Sequence, residues 1–363
     1  MDLFPVPPSN RYAVGGRPYT VSWLCRWALR RVTGRHILAE QILRNRNARL
    51  LHAHFGPIGW WALPLKKALG LPILTTFYGY EFGPSAETLL GDWPRRRQEL
   101  FDKGDLFLVE GPFMQHRLTR LGCRREKVQI QRVAIDLRQT PFRPRKLRSD
   151  NKVIVIFAGR FVEKKGLTYA LQAVRDVRDM GFGVEFRIIG DGPLADQVYA
   201  LIRENKLERD VRLFGFLDYH DYLREMREAD ILLQPSVTAA SGDSEGGAPT
   251  TLLEAQALGM PVISTYHADI PNVVLPGRSA ILVPERNSEA LASAMAYLMG
   301  HPSMWEEMGR NGRDFVERFH DIDKERPALE DKYFSLLGHS PAEGEKSSLA
   351  RTPSVLSGLS RSF

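Results

Sequence analysis

Between residues 152 and 264 short apolar runs alternate with longer amphipathic stretches, and this alternation limits the accessible folds more than any other feature of the chain. Residues 152–158, 184–189, 211–215, 231–234 and 261–264 read as strands, and residues 166–180, 194–204, 221–228 and 250–258 as helices. Parallel strands need crossover connections, usually helical, so the pattern predicts βαβ units around a parallel sheet. The first half follows the same plan less clearly. Residues 50–54, 72–77, 106–109 and 128–130 read as strands, with a helix over 59–69 between the first two.

The 363 residues exceed what one hydrophobic core usually supports, roughly 250–300. We expect a first α/β domain over residues 1–141, a linker at 142–151 that is polar, basic and interrupted by Pro144, and a second domain over 152–325. A C-terminal helix is expected at 326–338. Residues 339–363 are rich in Ser, Gly and Pro and are expected to be disordered. No stretch approaches the ~20 apolar residues of a membrane-spanning helix, and the first residues do not resemble a signal peptide. Only two cysteines occur, Cys25 and Cys123, without metal-like spacing, so a disulfide framework and a cysteine-built zinc site are excluded. A cytoplasmic location is expected.

The net charge is +7, and much of the excess is local. Arg26, Arg30, Arg31, Arg35, Arg44, Arg46 and Arg49 share their segment with a single acid, Glu40. Trp23, Leu24, Trp27 and Val32 interleave with the first four. Two readings stay open: a basic helix lying on an anionic membrane surface, or the solvated face of an ordinary domain helix. A nucleic-acid partner is not expected, because no recognition motif accompanies the charge.

Chemistry gathers after the strands of the second half, where open parallel sheets bind ligands. Gly159-Arg160 ends the first of these strands, and Lys165 follows five residues on. Arginine offers a planar fork to phosphate oxygens and lysine a compact charge, although a tight turn with solvated basic residues would look the same. Gly190-Asp191-Gly192-Pro193 ends the next strand and departs from a dinucleotide fingerprint, since no third glycine follows. Glu245-Gly246-Gly247-Ala248-Pro249-Thr250 leads into a helix carrying Glu254. Glycines, then a proline suited to a first helical turn, then exposed amides at a positive dipole end form an anion site for a diphosphate. In the first half, His52 and His54 lie on one face of a strand that ends at Gly56.

These residues resemble the family-4 retaining glycosyltransferases. The similarity runs almost continuously from Val153 to Leu337 through GRFVEKKG, GDGP, VRLFGFL, ADILLQPS, SEGGAPTTLLEAQALGMPVIST and IPNVVLPGRSAILVP. HAHFG, LTTFYGYEFG and LFLVEGPFMQHRLTRLGC are similar to the subgroup that builds bacterial exopolysaccharide and lipopolysaccharide. The resemblance implies the GT-B fold, two Rossmann-like domains facing across a cleft. It implies transfer of a hexose from a nucleotide-diphosphate sugar to a lipid-linked or polysaccharide acceptor with retention, without a cofactor or metal. The one Asp-x-Asp, Asp321-Ile322-Asp323, lies away from the donor motifs.

Carried over residue by residue, Arg160 and Lys165 would hold the donor diphosphate, and Glu254 the ribose hydroxyls. Glu245 would contact the donor sugar, and Gly246, Gly247 and Ala248 would turn amides toward it. His54 would approach from the opposite domain, and Phe216 and Leu217 would flank the base. Eight residues separate Glu245 from Glu254 where the family has seven. The family's opening strand and glycine loop are not recognisable before Leu50, so a shortened N-terminal domain is expected. A donor-binding but inactive homologue, serving as a subunit in envelope polysaccharide assembly, is the alternative reading.

Overall fold

The computed structural model describes residues 36–83 and 91–338. The basic segment with Trp23, Trp27 and Arg26 to Arg35 and the tail from residue 339 lie outside the described residues.

Among the described residues the first domain has a four-stranded parallel sheet in the order β1-β2-β3-β4: Leu51–His54, Ile73–Thr76, Leu106–Val109 and Val128–Ile130. Its helices are α1 (Ile37–Asn45), α2 (Gly56–Leu69), α3 (Trp93–Lys103) and α4 (Pro112–Arg120). Helix α2 starts three residues before the expected 59, because Pro57 suits a first turn and the Gly56 amide finds an acceptor in Glu81 Oε1 at 2.8 Å.

The second domain holds six parallel strands in the order β10-β9-β8-β5-β6-β7. In chain order these are β5 (Val153–Ala158), β6 (Val184–Ile189), β7 (Val211–Gly215), β8 (Ile231–Gln234), β9 (Val262–Thr265) and β10 (Ala280–Val283). The intervening helices are α5 (Leu167–Asp179), α6 (Ala195–Glu204), α7 (Tyr219–Glu228), α8 (Thr250–Ala257) and α9 (Ile270–Val273). After β10 come α10 (Ser288–Gly300), α11 (Trp305–Phe319) and α12 (Ile322–Leu336).

The residue-by-residue alternation of β5 shows why this sheet is covered twice. Val153, Val155 and Phe157 pack on one side with Leu171 and Val174 of α5 and Leu291 and Met295 of α10. Ile154, Ile156 and Ala158 pack on the other with Leu252 and Leu253 of α8 and Val316 of α11. Each such large side chain removed from water stabilises the fold by roughly 1.5–3 kcal/mol, so helices on both faces are the stable solution for strands this apolar.

Strand order reverses between β5 and β8, which are neighbours while β6 and β9 run outward on either side. That switch point opens a crevice at the carboxyl ends of β5 and β8. The chain then returns to the first domain. Ile135 and Asp321 form a bridge, the Ile135 amide donates to His320 O at 2.7 Å, and Leu329, Tyr333 and Leu336 of α12 cover Leu74, Leu106 and Leu108. Asp321 caps α12 through the Asp323 amide, and Asp323 pairs with Arg326, so the Asp-x-Asp serves a helix start. Among the described residues no helix is long and apolar enough to cross a membrane.

Candidate active site

The carboxyl ends of β5 and β8 are built to bring backbone close. Gly190 has φ 127° and lies against the Gly159 carbonyl, where a side chain would collide. Gly166, at φ 69°, is pressed onto the Pro235 carbonyl in the same way. Glycine alone accepts these approaches. The first holds the ends of β5 and β6 together, and the second clamps the turn between β5 and α5 against the end of β8.

The clamp delivers Lys165. Its Nζ lies 2.8 Å from Glu245 Oε1, which also accepts from Ser236 Oγ at 3.0 Å. The neighbouring Lys164 ties the same loop down through Asp243 and the Ser244 carbonyl, both at 3.1 Å. The Glu245 amide donates to His267 Nε2 at 3.0 Å. An amide can only donate, so Nε2 is the acceptor nitrogen and the ring proton sits on Nδ1. Nδ1 then donates to Glu285 Oε1 at 2.6 Å, and the other Glu285 oxygen takes the Thr238 amide at 2.7 Å. The loop between β8 and α8 is therefore fixed at both flanks.

Arg160 leaves the same end of β5 and is exposed, without a side-chain partner among the described residues. Its guanidinium is free to meet a ligand. Glu254 is buried one turn into α8 and receives the Tyr222 hydroxyl at 2.5 Å. Burial pushes its carboxyl above the ordinary value, while the Tyr222 and Tyr219 hydroxyls pull the other way. Tyr219 and Tyr222 stack at 6.0 Å beside it. Phe216 projects into solvent at 74% exposure, whereas Leu217 turns toward the core under α8. Pro249 stands just before α8 as its N-cap, with ψ 131°, so the helix begins at Thr250 rather than with the proline in its first turn. Ala248 packs beside Leu217 on the same core.

The first domain closes on this loop directly. Gly79, at φ 97°, and the Tyr78 carbonyl sit against Gly246, and the Glu110 side chain sits against Gly247. Arg117 Nη1 reaches Ser244 Oγ at 3.3 Å. Asp269 Oδ1 accepts from the Phe113 amide at 2.9 Å and Oδ2 from the Met114 amide at 3.3 Å. His52 and His54 do share a face, stacked at 4.4 Å, and His54 Nδ1 is 2.6 Å from the Tyr78 hydroxyl. His54 is thus one residue contact removed from the Gly246 loop. Phe55, between His54 and α2, is a non-glycine residue at φ 72°, a strain of about 1–3 kcal/mol of the sort that clusters at functional sites.

Tyr222, His267, Asp269 and Glu110 belong to the site and were not read from the sequence. Asp218, His220 and Asp221 bring ligand-type atoms within 4.8 Å of one another. Asp218, however, caps α7 through the Asp221 amide, and Asp221 pairs with Arg224 at 2.6 Å.

Solved structures with this architecture include HepE of Anabaena in complex with UDP, with a TM-score of 0.71 at 17% identity, covering 85% of this chain and 84% of that one. Sucrose-phosphate synthase of Thermosynechococcus elongatus gives 0.69 at 20% identity, covering 82% and 76%. At these identities the likeness defines the fold, which is GT-B. The sequence matches the Glycosyltransferase Family 4 profile over residues 4–139 and the glycosyl transferases group 1 profile over residues 139–315. It is 37% identical over 263 residues to the putative colanic acid biosynthesis glycosyltransferase WcaL of Escherichia coli K12, covering 71% of this chain and 63% of that protein. To the amylovoran biosynthesis glycosyltransferase AmsK of Erwinia amylovora it is 35% identical over 255 residues, covering 69% and 61%. The chain belongs to the family-4 glycosyltransferases. It spans a little under two thirds of the length of these two relatives.

Proposed function

We propose that this chain binds a nucleotide-diphosphate sugar in the crevice after β5 and β8 and transfers its hexose, with retention, to a lipid-linked or polysaccharide acceptor in envelope polysaccharide assembly. The observation that carries the reading is the pairing of Lys165 with Glu245 beside an unpaired Arg160 at the sheet's switch point. Lysine has three N–H donors. Glu245 and its Ser236 bond hold the ammonium in place, and the remaining donors can meet a phosphate. Arg160 adds a planar fork. Two fixed cations would stabilise the negative charge that develops on a departing diphosphate, in a site whose donors need no rearrangement. Glu254 would accept from the ribose hydroxyls, and Phe216 would offer its exposed ring to the base. The cations supply the charge that a divalent metal otherwise provides, so turnover should survive a chelator.

A thermal-shift panel of uridine- and guanosine-diphosphate sugars tests the reading, because a ligand that binds only the folded state raises its stability. Stabilisation by a member of the panel supports it. A melting temperature unmoved by all of them contradicts it. The basic segment from Trp23 to Arg35 would hold the enzyme reversibly on anionic lipid. Co-sedimentation with anionic vesicles at low salt should show this, and protein left in the supernatant would refute it.

A further inference from the structure

Four carboxyl groups meet where the two domains touch, and three of them hold at least one protein hydrogen-bond donor. Glu245 has Lys165 and Ser236. Asp269 has the Phe113 and Met114 amides and the Asn272 side chain at 2.8 Å. Glu81 takes the Gly56 amide on Oε1, while its Oε2 is buried without a partner among the described residues. The fourth, Glu110, directly follows β3 at its carboxyl end and makes no hydrogen bond or ion pair among the described residues. Its carboxyl is packed on the backbone of Gly247, so that no side chain could stand there. An unmade hydrogen bond at a half-buried carboxyl is costly, and its position above the glycine loop says what would make it.

We infer that Glu110 is a sugar-binding residue of the first domain, hydrogen-bonding a hydroxyl of the hexosyl group that sits over Gly246 and Gly247. The surroundings select that chemistry. Three acids repel a phosphate, so the partner is uncharged. No three of these acids bring an oxygen each within 4.8 Å of one another among the described residues, so they do not gather the oxygens a hard divalent cation needs. A polyol that both donates and accepts hydrogen bonds remains. The inference rests on the proposed donor site and adds to it a contact from the opposite domain.

Calorimetry with UDP, GDP, UDP-glucose, UDP-galactose, GDP-mannose and GDP-fucose tests it, using the full chain and the variants Glu110→Ala and Glu110→Gln. The nucleotide sugar that binds the wild type should bind Glu110→Ala about three- to tenfold more weakly, the range for one neutral hydrogen bond. The matching nucleoside diphosphate should bind both alike. Glu110→Gln, which keeps the shape and a donor, should recover most of the loss. Equal weakening of sugar and diphosphate, or no weakening of either, overturns the role of Glu110 and leaves the donor site standing. A wild type that binds nothing in the panel overturns the donor site, and this inference with it.

Discussion

Asp269, which stands just before α9 in the second domain, caps α4 of the first domain by accepting from the Phe113 and Met114 amides at 2.9 and 3.3 Å. The N-cap residue of α4 is Gly111, which has no side chain to offer, so the first amides of that helix depend on a carboxylate from across the interface. Burial pushes the Asp269 carboxyl above its ordinary value, against the pull of those amides. Asp269→Ala should destabilise the protein by about 0.5–2 kcal/mol, the usual cost of a lost cap, and should separate the domains. Denaturant unfolding and small-angle scattering would show both effects. An unchanged radius of gyration together with an unchanged midpoint would count against Asp269 as a clasp.

Lys165→Ala should weaken binding of the cognate nucleoside diphosphate roughly ten- to a hundredfold, since a hydrogen bond to a charged group contributes about 1.5–3 kcal/mol. The same change leaves Glu245 buried with only Ser236 as its donor, so stability should fall as well. Lys165→Arg keeps the charge and should restore stability more fully than affinity, because a planar fork does not replace a point charge. Equal diphosphate affinity in wild type and Lys165→Ala would return Lys165 to a structural turn.

Tyr222→Phe removes a donor that holds the Glu254 carboxyl down against burial. A carboxyl raised in the folded state binds protons that the unfolded chain has released, so it costs stability as pH rises above its ordinary value. Removing the hydroxyl raises it further. The stability gap between wild type and Tyr222→Phe should therefore be larger at pH 7 than at pH 5, with a gap of about 1–3 kcal/mol at pH 7. Chemical denaturation at the two values checks this, and a gap that widens toward pH 5 would contradict the assignment.

Glu110 is pushed up to about 8, first by burial and then by Asp269, Glu81 and Glu245 facing it. The nearby Tyr78 hydroxyl is itself pushed up to about 12, so it stays neutral through this window, and Lys165 is committed to Glu245. The closed interface thus holds a proton at neutral pH that an open, solvated Glu110 would lack. Closure takes up that proton between the ordinary carboxyl value and about 8, so it becomes less favourable as pH rises across that range. Nucleotide-sugar affinity should fall in step in the wild type. The decline should be shallower in Glu110→Gln, which has no proton there to lose. Parallel pH profiles for the two proteins would remove Glu110 from the linkage.

Much of the second domain was legible because its strands alternate apolar residues to two buried faces, as Val153 to Ala158 do, and the strand ends there carry the glycines and cations. The first domain was harder to read. Helix α3 is mostly charged, and its buried residues, Trp93, Leu100 and Phe101, leave too narrow a stripe for periodicity to register. Helix α4 begins at a glycine cap, and its actual cap lies 155 residues along the chain from Met114. Tyr222 and His267 sit in ordinary helical and loop sequence, and only folding brings them to Glu254 and Glu245. Glu110 follows a buried strand like any surface acid, and its role depends on which backbone it faces.

If the proposed function holds, the crevice after β5 and β8 takes a nucleoside diphosphate. A crystal structure with whichever of UDP or GDP binds more tightly tests it most directly. The diphosphate should lie between Arg160 and Lys165, with the ribose hydroxyls on Glu254. Density for the nucleotide elsewhere, for example in the roughly 1370 Å³ cavity lined by Trp60 and Trp61 of α2, Lys103 of α3 and Leu336 of α12, would rule this out.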